Sequence, residues 1–369
     1  MYEVGDIIDS QWKIVRGLSS DSGQGNTFIV VNVVAGPWTG NIEYVIKLLK
    51  VEAPRTLARF EKEIRACLAL QHPNIVKVIA SKYENTATPY LVTEHCSGGE
   101  LNPDKIKDLS LLQRLRMFES ICEAIAFAHS NGVIHRDIKA QKIFLETDGS
   151  TKPIIGDFGL CFFKDDNDDL RLTPTSEAVG AWQTRPPEAD IGRVESWSER
   201  GDVYMLGKLM YWFLSGGKYP HRENFDRESY DLRKRDSPHP VYLAYEILAK
   251  SIRELPEDRY VSAGPMLADV KELVVFAEND GRYLDCALPQ SCMFCRIGNY
   301  DWQFLGTEDN DKYQFAEHGL NFQQPLVVVY PRVLFGRCGR CGNVQQFRLD
   351  DRVKPSSEWK NVPRSPQAR

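Results

Sequence analysis

The chain has 369 residues, of which 42% are hydrophobic and 26% charged, a composition typical of a folded globular protein. Its length suits about two or three domains, and its net charge of −5 argues against a surface dominated by phosphate binding. No apolar run approaches the roughly 18 residues of a transmembrane helix, so no membrane partner is expected. The acidic start, Met1 to Asp6, is unlike a secretory signal. Nine cysteines without such a signal favour a reducing, cytoplasmic location and a metal site.

Strand patterns dominate the first hundred residues. β-Branched and aromatic runs predict strands at residues 12–15, 27–31, 43–49 and 90–93. A helical stretch is expected between Leu57 and Leu70, before His72-Pro73. These elements predict a small lobe that is rich in strands.

The pattern becomes helical after about residue 100. Apolar side chains recur at spacings of three and four along one predicted helix face, at Leu111, Leu115, Phe118, Cys122, Ile125 and His129. Ser110 with Gln113 offers a capping box at the start of this helix, and Asn131-Gly132 offers a stop. A short hairpin is expected at 143–145 and 152–155, followed by another apolar helix from Asp202. A larger helical lobe therefore follows the first.

The amino-acid composition changes again near residue 285. Cysteine pairs, glycines and short β-rich runs such as residues 325–330 appear. From Arg352 onward the sequence contains five basic residues, one acidic residue and three prolines, and it shows no periodicity. Residues 351–369 are therefore predicted to form a basic, disordered tail.

A glycine-rich stretch, residues 20–25, lies between two predicted strands. Its backbone N–H groups, at Ser22, Gly23 and Gly25 among others, could approach phosphates closely because few side chains intervene. A Rossmann loop would instead need a helix directly after it. The alternative is a plain hairpin turn, and this stretch alone does not decide between them.

Charged residues follow at spacings that suggest a phosphate site. Lys47 lies on a predicted strand and needs a partner if it is buried, and Glu63 lies on the helical stretch 16 residues later. The alternative is a chance pair of exposed charges. Further on come His135-Arg136-Asp137, Asp157-Phe158-Gly159 and Pro186-Pro187-Glu188.

In this order, the glycine loop, Lys47, Glu63 and the three later motifs resemble a eukaryotic-like (Hanks-type) serine/threonine protein kinase. The resemblance covers residues 8 to about 275. It implies an α+β, bilobal protein-kinase fold over residues 1–280, with a β-rich N-lobe at about 8–96 and a helical C-lobe at about 97–280. The residue roles given next are implied by this resemblance.

For the nucleotide, the resemblance implies that the loop of residues 20–25 covers the phosphates of ATP. Lys47 would contact the α- and β-phosphates and be oriented by Glu63. Thr93 resembles the gatekeeper, and Glu94 and Cys96 would offer backbone groups to the adenine.

For the transfer, the resemblance implies that Asp137 positions the substrate hydroxyl and accepts its proton. Lys139 would neutralise the transferred phosphoryl group, and Asp157 would hold Mg²⁺. These roles suit a reaction catalysed by positioning and charge neutralisation. Glu188 with Arg259 resembles a structural ion pair, and Asp202 resembles the aspartate that braces the catalytic loop.

The lysine at position 139, two residues after Asp137, resembles the residue that serine/threonine kinases have there. The resemblance therefore implies a protein substrate with a Ser or Thr acceptor. Arg136 could pair with a phosphate on the activation segment. The candidate acceptors there are Thr173, Thr175 and Ser176, although most loop hydroxyls are never modified.

Three positions depart from the family pattern. Lys142 replaces the Asn that binds a second Mg²⁺, so either its ammonium replaces that cation or metal binding is weakened. Ser20 and Ser22 replace the first two glycines of the loop, and Ala181 replaces a Thr. Two functions therefore stay open. One is an active kinase, and the other is a pseudokinase that binds nucleotide as a signalling scaffold.

The C-terminal cysteines form two Cys-x₂-Cys pairs, Cys292 with Cys295 and Cys338 with Cys341. Four thiolates can form the closed tetrahedral shell of a structural Zn²⁺. The pattern resembles a zinc ribbon and predicts a small β domain over residues 285–350. A rubredoxin-like iron site and reduced, unliganded thiols are the alternatives.

The resemblance leaves the role of this module open. Docking or sensing is favoured by analogy. Nucleic-acid binding is the rival, because arginines and phenylalanines lie near the second pair: Arg332, Arg337, Arg340, Arg348, Phe335 and Phe347. Scattered surface arginines are the more common explanation of such a pattern, which argues against a nucleic-acid partner.

Overall fold

The computed structural model describes residues 2–18, 25–34, 40, 42–49, 54–84, 86, 88–158, 161–163, 183–190, 198–232, 239–278, 300–305, 332–338 and 344–349. The chain divides into two compact units. The first comprises residues 1–237 and 241–274, and the second comprises residues 238–240 and 275–369. Among the described helices, none has the length and hydropathy needed to cross a bilayer.

Six described strands form an antiparallel sheet at the start of the first unit. They are β1 (Ile7–Ile8), β2 (Trp12–Leu18), β3 (Gly25–Asn32), β4 (Glu43–Leu49), β5 (Val78–Lys82) and β6 (Tyr90–Glu94), in the order β1-β2-β3-β4-β6-β5. Helix α1 (Pro54–Ala69) connects β4 to β5. The four predicted strands and the predicted helix are confirmed within a few residues at their ends.

The alternation of side chains along β4 sends its residues to two different faces. Tyr44, Ile46 and Leu48 pack with Trp12 and Val92 in one buried cluster. On the opposite face, Leu49 packs with Phe60 and Ile64 of α1. Since side chains alternate along a strand, Lys47 shares the face that α1 covers.

Helices build the rest of the first unit. They are α2 (Pro103–Ile106), α3 (Leu111–Ser130), α4 (Pro187–Asp190), α5 (Glu199–Ser215), α6 (His239–Ser251) and α7 (Ala263–Glu278). The predicted capping box of α3 is confirmed, since Ser110 and Gln113 exchange hydrogen bonds of 3.2 and 2.9 Å. Gly132 follows this helix with a φ of 72°, where a side chain would be strained.

Helix α5 is the most buried helix of this group, with every residue from Gly201 to Phe213 buried. Gly207 lets α6 approach closely, because a Cβ atom there would lie 2.6 Å from Ser251 Cβ. An alanine at this position would force the two helices apart.

Short strands carry the segments between the helices. They are β7 (Val133–Ile134), β8 (Ile143–Leu145), β9 (Pro153–Ile155) and β10 (Phe162–Phe163), with β8 paired to β9 and β7 to β10. The predicted hairpin at 143–155 is thus confirmed. Its second strand is tied to residues 74–76, because Ile155 donates to Asn74 O and accepts from Val76 N, both at 2.8 Å.

The second unit contains a three-stranded antiparallel sheet, β11 (Tyr300–Leu305), β12 (Arg332–Cys338) and β13 (Val344–Leu349), in sequence order. The register pairs Tyr300 with Cys338 and Arg332 with Leu349. The predicted β-rich run at 325–330 and the predicted tail at 351–369 lie outside the described residues.

Candidate active site

A lysine and a glutamate form a buried ion pair between β4 and α1. Lys47 Nζ lies 2.9 and 2.7 Å from the two carboxylate oxygens of Glu63. The Glu63 side chain is only 7% exposed. Lys47 Nζ also lies 3.9 Å from Asp157 Oδ1. The chance pair of exposed charges is therefore wrong, and the lysine ammonium lies between two carboxylates.

The loop after β7 is held by a fully buried carboxylate on α5. Asp202 accepts the backbone N–H groups of His135 and Arg136, each at 2.8 Å. Its Oδ2 also lies 2.9 Å from His129 Nε2 on α3. Asp202 thereby fixes the backbone directly before Asp137.

Asp137 lies next to two lysines. Lys139 Nζ is 2.9 Å from Asp137 Oδ1, and Lys142 Nζ is 3.8 Å from Asp137 Oδ2. The side chain of Asp137 keeps about an eighth of its surface exposed, so a substrate hydroxyl can reach it. The loop is further fixed by Ala140, whose N–H donates to the hydroxyl of Tyr219 at 3.1 Å.

Lys142 bonds directly to Asp157. Its ammonium donates a hydrogen bond to Asp157 Oδ2. The main chain holds it there, because Gly156 N donates to Lys142 O at 3.0 Å just outside the β8–β9 hairpin. The Lys142 ammonium thus lies beside the carboxylate to which the resemblance assigns Mg²⁺, a position that both readings left open by the sequence allow.

Two residues of the site have strained backbones. Arg136 and Asp157 have φ angles of 69° and 58°, a region that costs non-glycine residues about 1–3 kcal/mol. Such strain persists only when neighbouring contacts hold it, as Asp202 does for Arg136. Both strained residues adjoin the ion pairs of the site, because Arg136 directly precedes Asp137 and Asp157 pairs with Lys142.

Lys47, Lys142 and Asp157 keep one another ionised, whereas burial raises the pKa of Glu63 above its ordinary value. Burial alone would raise the pKa of Asp157, but the nearby charges of Lys47 and Lys142 outweigh it and hold that pKa well below its usual range. Burial likewise works against the charge of Lys142, but Asp157 and Asp137 raise its pKa above the ordinary value. Burial also works against the charge of Lys47, but Glu63 and Asp157 raise its pKa above the ordinary value. Each of these lysines carries a positive charge at neutral pH.

The predicted adenine-binding segment begins at Glu94, the last residue of β6. Glu94 N already donates to Lys77 O at 3.0 Å, so the carbonyl is the group Glu94 can offer. Cys96 is partly exposed, and burial raises the pKa of its thiol to about 12. Cys67, Cys122 and Cys161 are buried, as expected for packing residues.

Several predicted site residues are not described. Residues 20–24, with Ser22 and Gly23, lie outside the described part of the chain, and Gly25 is the first residue of β3. Thr173, Thr175, Ser176 and Ala181 lie outside it as well. So do Cys292, Cys295 and Cys341, while Cys338 ends β12.

A second buried ion pair links α4 to the segment before α7. Arg259 forms two parallel hydrogen bonds with Glu188, at 2.7 and 2.8 Å. This is the pairing that the resemblance implied.

Sequence reasoning missed two supporting side chains. Tyr219 had no motif to mark it, since it follows α5 and reaches the catalytic loop only in three dimensions. His129 was recognised as part of the apolar face of α3, but its ring bonds both Asp202 and the backbone N–H of Ala263, the latter at 3.1 Å. A buried polar residue on an apolar face was the signal that could have revealed it.

Comparison with known proteins agrees with this geometry. A family model described as protein kinase domain matches residues 19–263. Serine/threonine-protein kinase PknB of Mycobacterium leprae is 29% identical over 244 residues, which is 62% of this chain and 38% of that protein. Serine/threonine-protein kinase Pkn1 of Myxococcus xanthus is 29% identical over 221 residues, 57% of this chain and 31% of that protein. The chain thus matches well under half the length of these relatives.

Proposed function

The chain belongs to the protein kinase domain family, and from this premise we propose that it transfers the γ-phosphoryl group of ATP to serine and threonine hydroxyls of proteins. The observation that carries the proposal is the cleft itself, where Asp137 and Asp157 lie among three lysines. The names of the relatives support the choice of serine and threonine.

In the proposed mechanism Asp137 orients the substrate hydroxyl and takes its proton. Lys139, 2.9 Å from Asp137 Oδ1, neutralises the group being transferred. Lys47 binds the inner phosphates of the nucleotide while Glu63 fixes its position. Positioning and charge neutralisation of this kind supply most of the catalysis in phosphoryl transfer.

The residues present suit a nucleotide-bound Mg²⁺. Mg²⁺ is usually held by one or two carboxylates together with substrate phosphates, and Asp157, whose side chain is 34% exposed, supplies one. When bound, Mg²⁺ would neutralise charge on the phosphates. In the described part of the chain, no cluster of three or more His, Cys, Asp or Glu could hold a metal by itself.

The experiment that tests the proposal measures transfer of labelled phosphate to peptides. Wild type should phosphorylate a Ser/Thr peptide mixture and not a Tyr-only mixture. Asp137→Asn should lower the rate by about 10² to 10⁴, the usual worth of a general base. Asp148→Asn is the matched control, because that carboxylate lies on the surface against Lys105.

A pseudokinase is the second candidate, and the Lys142–Asp157 hydrogen bond favours it. If Lys142 blocks metal binding, the wild type would bind nucleotide without transferring phosphate. Lys142→Asn would then gain activity in the same peptide assay. Loss of activity in that variant would speak against this alternative.

We also propose a zinc site at Cys292, Cys295, Cys338 and Cys341. The register of the second unit supports it, because Tyr300 at the start of β11 pairs with Cys338 at the end of β12. The first cysteine pair precedes Tyr300 closely in sequence, and the second pair begins at Cys338. Cys338 therefore lies at the end of the sheet where β11 begins, and a single Zn²⁺ would require the other three cysteines there as well.

Regulation completes the proposal. Phosphate on Thr173, Thr175 or Ser176 of the activation segment would pair with Arg136. The zinc module would act as a docking or sensing element. The cytoplasmic location, and the expectation that neither nucleic acid nor a membrane is a partner, stay predictions.

A further inference from the structure

Among the residues that the structure describes, the ion pairs of the active-site cleft involve three carboxylates and three ammonium groups. Its carboxylates are Glu63, Asp137 and Asp157, and its ammonium groups belong to Lys47, Lys139 and Lys142. The side chains of the set therefore carry no net charge. Lys142 supplies the positive charge without which the cleft would be negative and would repel a polyphosphate.

Lys142 bridges two carboxylates as a metal ion would. Its ammonium bonds Asp157 Oδ2 and lies 3.8 Å from Asp137 Oδ2. An ammonium offers three donors and no acceptor, so it can bond both carboxylates and still donate to a phosphate oxygen. The chain itself thus supplies a cation that bridges Asp137 and Asp157.

The backbone fixes this position. Lys142 ends a short 3₁₀ turn, residues 140–142, in which its N–H donates to Lys139 O at 2.9 Å. Its carbonyl accepts from Gly156 N at 3.0 Å, one residue before Asp157. The side chain itself is only 23% exposed. A lysine with these contacts loses little further conformational freedom when nucleotide binds.

We propose that Lys142 is a built-in cation of the nucleotide site, replacing one divalent ion between Asp137 and Asp157. This inference rests on the proposed nucleotide site. The chain then binds ATP with a single divalent ion and retains much of its nucleotide affinity when divalent ions are removed. Asp157 would hold that single ion while its carboxylate also accepts from the Lys142 ammonium.

The test counts ions and measures affinity, independently of catalysis. Mn²⁺ bound per non-hydrolysable ATP analogue is counted by electron paramagnetic resonance, and analogue affinity is measured with Mn²⁺ and with EDTA. Wild type should bind one Mn²⁺ and lose about tenfold or less in EDTA. Lys142→Asn should bind two, because Asn supplies an oxygen ligand and frees Asp157 Oδ2.

In EDTA, Lys142→Asn should lose a further ten- to hundredfold in affinity, about the worth of one hydrogen bond to a charged group. Lys142→Arg keeps the charge and should keep the count at one. Lys152→Asn is the matched control, since Lys152 donates to Glu146 on the surface and should match wild type.

Two results would overturn the inference alone. One is a wild-type count of two ions per nucleotide. The other is that wild type and Lys142→Asn bind the same number of Mn²⁺ ions per nucleotide and lose the same fraction of nucleotide affinity in EDTA. No nucleotide binding by wild type, with or without metal, would instead overturn the proposed function and this inference with it.

Discussion

Replacing Glu188 by alanine should lower the free energy of unfolding of the first unit by about 3 kcal/mol. The Arg259 side chain is fully buried, and both of its hydrogen bonds to Glu188 would be lost. Removing one partner of a buried ion pair costs about 3–5 kcal/mol, because a charge is left uncompensated. The lower end applies here, since Arg259 also donates to the carbonyls of Arg253, Arg200 and Glu254.

This loss should lower the melting temperature by about 6–12 °C, at roughly 2–4 °C per kcal/mol for a unit of this size. The assay is thermal and urea unfolding of wild type, Glu188→Ala, Arg259→Met and the double variant. Their double-mutant cycle isolates the interaction between the two side chains. Glu146→Ala is the control, because its ion pair with Lys152 is about half exposed and is worth about 0–1 kcal/mol.

A loss under about 1 kcal/mol in Glu188→Ala, equal to that of the control, would refute the reasoning. So would a double variant whose loss is the sum of the two single losses. Either result would mean that the backbone carbonyls alone satisfy the buried guanidinium.

Three further predictions concern the nucleotide, the catalytic loop and the metal. ATP with Mg²⁺ should raise the melting temperature by mass action, and Lys47→Met should remove most of that rise; an equal rise in the variant would contradict the assigned role. Burial opposes the charge of Asp202, but the hydrogen bond from His129 holds its pKa below the ordinary value. The ionised Asp202 carboxylate therefore stabilises the fold at neutral pH, and this contribution is lost as pH falls below about 4. In Asp202→Asn the free energy of unfolding, measured with urea, should therefore fall less between pH 5 and pH 3 than in wild type. An equal fall in both proteins would contradict this prediction. Elemental analysis should find about one Zn²⁺ per chain, and Cys338→Ser with Cys341→Ser should remove it and unfold the second unit while leaving the nucleotide response intact; full retention of the second unit's fold would refute the zinc site.

Local pattern was enough to predict much of the first unit. The strand at 43–49 and the helix from Leu111 follow from periods of two and about 3.6 residues, and both are observed. The capping box at Ser110 was predictable because its two partners are only three residues apart. Lys47 and Glu63 were paired through the order of motifs, and the sheet shows why they meet: the strand turns Lys47 toward α1.

Contacts between distant residues could not be read from such patterns. The hydroxyl of Tyr219 meets the N–H of Ala140 across 79 residues of sequence, with no periodicity to connect them. For Lys142 the sequence left open whether its ammonium replaces a cation or weakens metal binding, because a pattern does not show where the end of a long, flexible side chain lies. The structure places that ammonium against Asp157, and the hydrogen bond from Gly156 N to the Lys142 carbonyl, which brings the two segments together, exists only once the hairpin forms.

The most direct test of the account is transfer of the labelled γ-phosphoryl group to the chain itself. Autophosphorylation is followed by acid-stable label and phosphoamino-acid analysis, for wild type beside Asp137→Asn, with nucleotide occupancy measured in both. The account predicts that both proteins bind nucleotide and that wild type alone forms phosphoserine or phosphothreonine. Wild type that is saturated with nucleotide and yet labels neither itself nor a Ser/Thr peptide would contradict it.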